Sequence, residues 1–290
     1  MKIAITGSTG FVGSHLSAAL KEDGHQVVPI GRAELKEHHE QIATYLIGCD
    51  AVFNLAGETI NQRWSEAYKQ RIYHSRIDTT HKLVEAMKVM EKRPATFIST
   101  SAIGAFSAEG CYTEDDPANA SDFLGELSKD WEGEAKEAES LGVRTLIFRF
   151  ALVLGHDGGL MKQLLPPFRR GLGGPIGNGL QPFSWVHIDD MVRSYQYALL
   201  NEQMKGIYHI CSPNPDNNSG FTKTLGSVLN RPALLPIPKF ALKLVYGEGA
   251  DVMTSGQCVV SIRLYEAGFE FKYPELDQAL TAIIQSGYAQ

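Results

Sequence analysis

Short apolar runs alternate with amphipathic stretches through the first half of the chain. Lys2-Ile3-Ala4-Ile5-Thr6, Gln26-Val27-Val28-Pro29-Ile30, Ala51-Val52-Phe53-Asn54-Leu55, Ala95-Thr96-Phe97-Ile98-Ser99 and Arg144-Thr145-Leu146-Ile147-Phe148-Arg149 each read as a buried strand. Between them, apolar residues recur at helical spacing. Ser14 to Lys21 carries Leu16 and Leu20, and helices are also expected over Leu35 to Tyr45, about Gln62 to Met90, and Asp122 to Ser140.

Repeated βα units with buried strands predict a parallel sheet covered by helices on both faces, a Rossmann-type doubly wound α/β fold. Beyond Phe150 the rhythm changes. Residues 155–179 are rich in glycine and proline, including Gly171-Leu172-Gly173-Gly174-Pro175. A helix over Asp189 to Leu200, capped by Asp189, and a strand at Ile207-Tyr208-His209-Ile210 look like a return to the sheet. From Ser212 onward three helical stretches are expected, separated by connections containing Pro232, Pro236 and Pro238. The expected division is a dinucleotide-binding domain over 1–155, to which 186–211 returns. A smaller, α-rich substrate-side lobe is expected from 156–185 and 212–290. Residues 172–179 read either as a mobile lid or as an ordered loop.

Composition narrows the class without naming a reaction. The chain has 290 residues, 43% hydrophobic and 21% charged, which is ordinary for a large globular core. A net charge of −6 argues against a nucleic-acid surface. Cys49, Cys111, Cys211 and Cys258 form no CxxC pair, so isolated buried or idle thiols in a reducing compartment are expected rather than a zinc site or a disulfide framework. Neither a signal segment nor a run long enough to span a membrane is seen. The expectation is a cytoplasmic protein that meets a small-molecule substrate, with no nucleic-acid or membrane partner and an oligomeric state the sequence leaves open.

The candidate chemistry begins where the first strand ends. Gly7-Ser8-Thr9-Gly10-Phe11-Val12-Gly13 lies between that strand and the first helix. A strand, a glycine turn and a helix N-terminus in that order suit a dinucleotide pyrophosphate, because backbone N–H groups can approach its oxygens unobstructed. Gly7, Thr9, Gly10, Phe11, Val12 and Gly13 are therefore candidate cofactor residues. The second strand ends in Gly31-Arg32 where an NAD site usually places an acid for the ribose 2′-OH. Arg32 suits a 2′-phosphate instead, by charge-assisted and bidentate hydrogen bonds, so NADP(H) is the expected cofactor.

These motifs carry a resemblance. The opening Thr-Gly-x-x-Gly-x-x-Gly, Asn54-Leu55-Ala56-Gly57 after the third strand and Ser99-Thr100-Ser101 after the fourth resemble an extended short-chain dehydrogenase/reductase. Asn54-Leu55-Ala56-Gly57-Glu58, Arg63-Trp64, Ser75-Arg76, residues 171–177, Trp185-Val186-His187-x-Asp189-Asp190 and Glu266-Ala267-Gly268-Phe269 are similar to its atypical branch, the "epimerase family" (nucleoside-diphosphate-sugar epimerase-like) proteins. The resemblance covers nearly the whole chain. It implies that Leu55, Ala56 and Gly57 lie on the adenosine side of the cofactor. It further implies that Val153 meets the nicotinamide. Arg76 stands where extended members usually carry Asn, and reads either as a residue reaching the cofactor or a substrate phosphate or as an exposed helix arginine.

One element departs from the wider family. Its members use a Tyr-x-x-x-Lys pair with a serine, the tyrosine acting as acid/base. In the corresponding helix Lys129 has Gly125 four positions earlier, and residues 123–132 contain no tyrosine. Ser101 matches the active-site serine and is the candidate catalytic residue, polarising a substrate oxygen. Its alternative is a strand-end cap. Tyr112 and His187 are lesser candidates for the missing acid/base, and Trp64 for a pocket wall. The reading is an NADP(H)-dependent oxidoreductase or epimerase-like enzyme on a small or nucleotide-linked substrate. The alternative is a non-catalytic NADPH-binding sensor or partner-binding protein.

Overall fold

The computed structural model describes residues 1–287. In chain order the first half runs β1 (Lys2–Thr6), α1 (Phe11–Glu22), β2 (Gln26–Ile30), α2 (His39–Leu46), β3 (Ala51–Asn54), α3 (Glu66–Lys88), β4 (Thr96–Ala102), β5 (Cys111–Tyr112), α4 (Phe123–Lys136) and β6 (Arg144–Phe150). The second half runs β7 (Leu152–Leu154), α5 (Gly159–Arg169), β8 (Pro182–Phe183), β9 (Trp185–His187), α6 (Ile188–Leu200), β10 (Gly206–Ile210), β11 (Asp216–Asn217), α7 (Asn218–Val228), α8 (Lys239–Tyr246), α9 (Asp251–Thr254), β12 (Cys258–Val259), α10 (Ile262–Glu266) and α11 (Leu276–Ser286).

Six strands form one parallel sheet in the order β10-β6-β4-β3-β1-β2. The expected doubly wound α/β fold is therefore present. Alternation along each strand splits the core in two. Ile3, Ile5, Phe53 and Phe148 face α1 and α6, where Tyr195 is fully buried. Ala4, Val52, Phe97 and Ile147 face the opposite layer with Leu83 and Met87 of α3. The direction of winding reverses between β1 and β3, and a ligand crevice opens at the carboxyl ends of strands at such a switch point. A third apolar cluster joins Met161, Phe183, Trp185, Phe221 and Leu280 beside the sheet.

The structure corrects several sequence expectations. The second helix begins at His39, not Leu35, because Glu34–Lys36 closes a separate 3-10 turn. The helix after β9 starts at Ile188 and is capped by His187, whose Nδ1 accepts from the Asp189 N–H at 3.0 Å. Asp189 instead lies in the first turn, where its charge favours the helix N-terminus. Beyond Ser212 there are five helices among the described residues rather than three, two of them only four or five residues long. Residues 172–179 are hydrogen-bonded to their surroundings rather than free-standing. Leu235 and Ile237 N–H groups donate to Gly173 and Pro175, Gly177 N–H donates to Ile237, and Asn218 Oδ1 accepts from Ile176 N–H.

The expectation of isolated thiols holds for Cys49 and Cys211 and fails for the other two cysteines. Cys111 and Cys258 form a disulfide across a sequence separation of 147, brought together by the parallel pairing of β5 with β12. Only tertiary structure creates this neighbourhood. Cys49 and Cys211 are buried and free.

Candidate functional site

The glycine turn forms a tight cradle. Gly7 has φ +68°, and a Cβ there would lie 2.8 Å from Leu55 O. A Cβ on Gly13 would come within 2.1 Å of Gly7 O, so the helix can approach the turn only because residue 13 has no side chain. Gly10 is the N-cap of α1 and no side chain caps the helix. The first-turn N–H groups are thus left for an external acceptor, as a pyrophosphate requires. Phe11 anchors this end against the chain after β7, for a Cβ on Gly158 would lie 2.1 Å from its ring. Val12 packs against the sheet core, and so does Val153, which pairs with Val186 in the β7–β9 ladder.

A cleft of 690 Å³ follows the ends of β1, β2 and β3. Gly7, Thr9, Gly10, Gly31, Arg32, Leu55, Ala56 and Gly57 line it, with Asp78 and Thr79 from α3. Its floor is fixed by polar side chains rising from the sheet. Thr6 Oγ1 donates to Asn54 Oδ1 at 2.8 Å and accepts from the N–H groups of Leu55 and Ala56, each at 3.1 Å. Asn54 Nδ2 donates to Thr80 Oγ1 at 2.8 Å, which also accepts from Trp131 Nε1 at 2.9 Å. The Leu55-Ala56 turn is thereby tied to three elements.

Arg32, Lys36 and Lys82 line the cleft, and Arg76 lies behind Gly57 without lining it. The Arg32 side chain is 87% exposed and its Nη2 lies 3.7 Å from Glu58 Oε2, a contact too open to hold it. It is free to close on a phosphate. Arg76 is the opposite case. Its guanidinium donates to Ile72 O at 3.1 Å, lies 5.3 Å over the Trp131 ring, and sits so close to Gly57 that a Cβ there would be 2.9 Å from its Cζ. Burial holds its pKa down to about 10, with the Glu58 charge opposing. Sequence reading missed Glu34, whose carboxylate accepts from Gly31 N–H at 2.9 Å beside Arg32.

Ser101 lies at the centre of a buried ionic group. Its hydroxyl donates to Glu132 Oε1 at 2.8 Å. Arg149 grips the same carboxylate bidentately, Nε to Oε1 at 2.7 Å and Nη2 to Oε2 at 2.8 Å. Ser101, Arg149 and His209 are register neighbours on β4, β6 and β10, so their side chains leave the same face of the sheet. Ser101 has therefore committed its proton and offers a substrate only lone pairs. Glu132 and Arg149 were not singled out from sequence, although an arginine between two phenylalanines in a buried strand was an available signal.

The other candidates have structural occupations. Lys129 is exposed, whereas Leu124 packs on the turn after β4, 3.2 Å from where a Gly104 Cβ would lie. Tyr112 stacks on Phe106 at 4.7 Å, and its hydroxyl is shared among Ser107 Oγ, Asn119 Nδ2 and Glu109 O. His187 is buried at its cap position, and desolvation pulls its pKa down to about 4. Trp64 is buried rather than exposed, its Nε1 donating to Ile60 O at 3.0 Å and its ring packed edge-on to Phe123.

A parallel sheet of this winding, with a glycine cradle at its switch point, defines a dinucleotide-binding fold of the extended short-chain dehydrogenase class. A family model described as "NAD dependent epimerase/dehydratase family" matches residues 3–211, and the chain belongs to that family. A second model, a domain of unknown function (DUF1731), matches residues 237–283. The chloroplastic "Epimerase family protein SDR39U1 homolog" of Arabidopsis thaliana is 39% identical, covering 98% of this chain and 87% of the relative. "Epimerase family protein YfhF" of Bacillus subtilis is 35% identical over 98% of each chain. The crystal structure of human epimerase family protein SDR39U1 (isoform 2) with NADPH matches with a TM-score of 0.90 and 32% identity, over 98% of this chain and 99% of that one.

Proposed function

We propose that this protein binds NADP(H) and uses it in an oxidoreductase or epimerase-like reaction on a small or nucleotide-linked substrate, without a tyrosine acid/base. The observation that carries the reading is the uncapped glycine cradle ending β1 together with exposed Arg32 ending β2. The NADPH in the human relative, similar along its whole length, supports the same cofactor.

In this reading Gly7, Thr9, Gly10, Phe11, Val12 and Gly13 hold the pyrophosphate, and Gly31 with Arg32 receives the 2′-phosphate. Leu55, Ala56 and Gly57 support the adenosine side. Arg76 faces an anionic oxygen further along the cleft, and Val153 backs the nicotinamide. Segments 156–185 and 212–287 form the substrate-side lobe, the last three residues of the expected lobe lying outside the described residues. When bound, the cofactor supplies or accepts a hydride at C4 of its nicotinamide. Ser101 orients a substrate hydroxyl by accepting from it, since Glu132 already takes the serine's own proton. With no phenol on this face of α4, the substrate's proton is exchanged with water.

The competing reading is an NADPH-binding sensor that never turns over, favoured by the burial of Ser101. The two divide on one experiment. Purified protein with NADP+ is exposed to a broad panel of alcohols and absorbance at the nicotinamide band is followed. A catalyst reduces NADP+ with at least one compound, and Ser101→Ala slows this by tenfold or more, a loss of roughly 1.4 kcal/mol of transition-state stabilisation. Tight NADPH binding with no turnover on any compound selects the sensor, and no NADPH binding removes both.

A further inference from the structure

The disulfide is the chemical feature of this chain that the cofactor site does not use. Its two ends are anchored unequally. On the β12 side Val259 is fully buried and its N–H donates to Ser184 Oγ at 3.1 Å, while Ser261 Oγ donates to His209 O at 2.6 Å. On the β5 side residues 108–111 are exposed, and Cys111 is the more accessible of the two sulfur-bearing residues. The bridge thus clips an exposed loop tip to a strand fixed by the core.

That loop leads directly to the buried ionic group. Tyr112, next to the bridge, stacks on Phe106 with their rings 9° apart. Phe106 in turn lies against the Arg149 guanidinium at 5.0 Å and edge-on to His209 at 5.3 Å. Arg149 holds Glu132, and Glu132 takes the Ser101 proton. Arg149 Nη1 and His209 Nε2 are buried polar atoms without a hydrogen-bond partner, and both side chains lie against Phe106. Unmet groups of this kind gain from any opening that admits water.

We propose that Cys111 and Cys258 form a reversible dithiol/disulfide couple, exchanged with a small dithiol, that sets how firmly residues 107–112 clamp Phe106 over the Ser101–Glu132–Arg149 group. A thiolate of the dithiol attacks the Sγ of Cys111, the more exposed residue of the pair, and the Sγ–Sγ bond breaks. Cys258 departs as a thiolate and takes a proton. The second thiol of the dithiol then attacks the mixed disulfide, frees Cys111 as a thiol and leaves as a cyclic disulfide. Two electrons and two protons pass to the protein, and the oxidised dithiol reverses the exchange. Cys49 and Cys211 stand outside it, because both are buried and burial pushes both thiols up in pKa.

The test equilibrates the native protein in mixtures of reduced and oxidised dithiothreitol, followed by rapid alkylation and mass mapping. Cys111 and Cys258 are expected to convert together with a two-electron slope while Cys49 and Cys211 stay unlabelled. Amide exchange at residues 107–113 should rise at least tenfold in the reduced form, with NADPH affinity changed by less than twofold. The double variant C111S/C258S should show the reduced exchange pattern at every redox poise. The proposal is overturned if the thiols stay free in oxidised dithiothreitol, if the bridge resists reduction until the chain unfolds, or if exchange at 107–113 is the same in both forms.

Discussion

At the scale of single residues, the site is defined by which charges are free and which are spent. Arg32 is exposed and only loosely paired with Glu58, whereas Arg149 is spent on Glu132 inside the protein. Removing one partner of a buried ion pair leaves an uncompensated charge, so Glu132→Gln should destabilise by about 3–5 kcal/mol. Urea unfolding reads this directly; a loss under 1 kcal/mol would mean that the Arg149–Glu132 contact carries little. Ser101→Ala removes only a hydroxyl and should cost roughly 1 kcal/mol in the same measurement, leaving NADPH affinity intact. The glycines, Arg32 and Ser101 were legible in the sequence because each sits at the end of a recognisable strand. Glu132 was not, because on a helix a buried glutamate looks like any surface acid until its face is known. Tyr112 and His187 invited a chemical reading, yet the structure uses one as a stacking platform and the other as a helix cap.

At the scale of elements, the cradle depends on how closely α1 approaches the end of β1. Gly13→Ala places a Cβ against the Gly7 carbonyl and must push the helix from the turn. NADPH binding should fall by at least about 100-fold, the equivalent of losing charge-assisted hydrogen bonds to the pyrophosphate. Equilibrium titration checks it, and unchanged affinity would place the pyrophosphate elsewhere. The βα units were readable because buried parallel strands give continuous apolar runs of unmistakable length. The segment after Ser212 was harder. Its shorter helices present too few turns for periodicity to register, and α8 buries no residue against the rest of the chain. The start of α2 was misplaced because the 3-10 turn before it shares the same apolar spacing.

At the scale of the whole molecule, two neutral imidazoles are locked into the fold. Desolvation lowers the pKa of both His187 and His209 to about 4, below the ordinary histidine value. The unfolded chain therefore binds more protons than the folded one between about pH 6.5 and pH 4. Their contribution is complete above the unfolded pKa and is lost as pH falls through this window, by up to about 3 kcal/mol for each group. Stability to urea should decline steadily from pH 7 to pH 4, less steeply in His209→Gln; a flat profile would contradict the burial of both rings. The disulfide also belongs to this scale, since nothing local in the sequence pairs positions 111 and 258. The claim on which the function rests is that the β1 cradle and Arg32 together select NADP(H). Calorimetric titration of the wild type and Arg32→Glu with NADPH and with NADH tests it most directly. NADPH should bind the wild type at least about tenfold more tightly than NADH, and Arg32→Glu should weaken NADPH by roughly 10- to 100-fold while sparing NADH, as expected for lost hydrogen bonds between charged groups. Equal weakening of both nucleotides, or no NADPH binding by the wild type, would contradict the account.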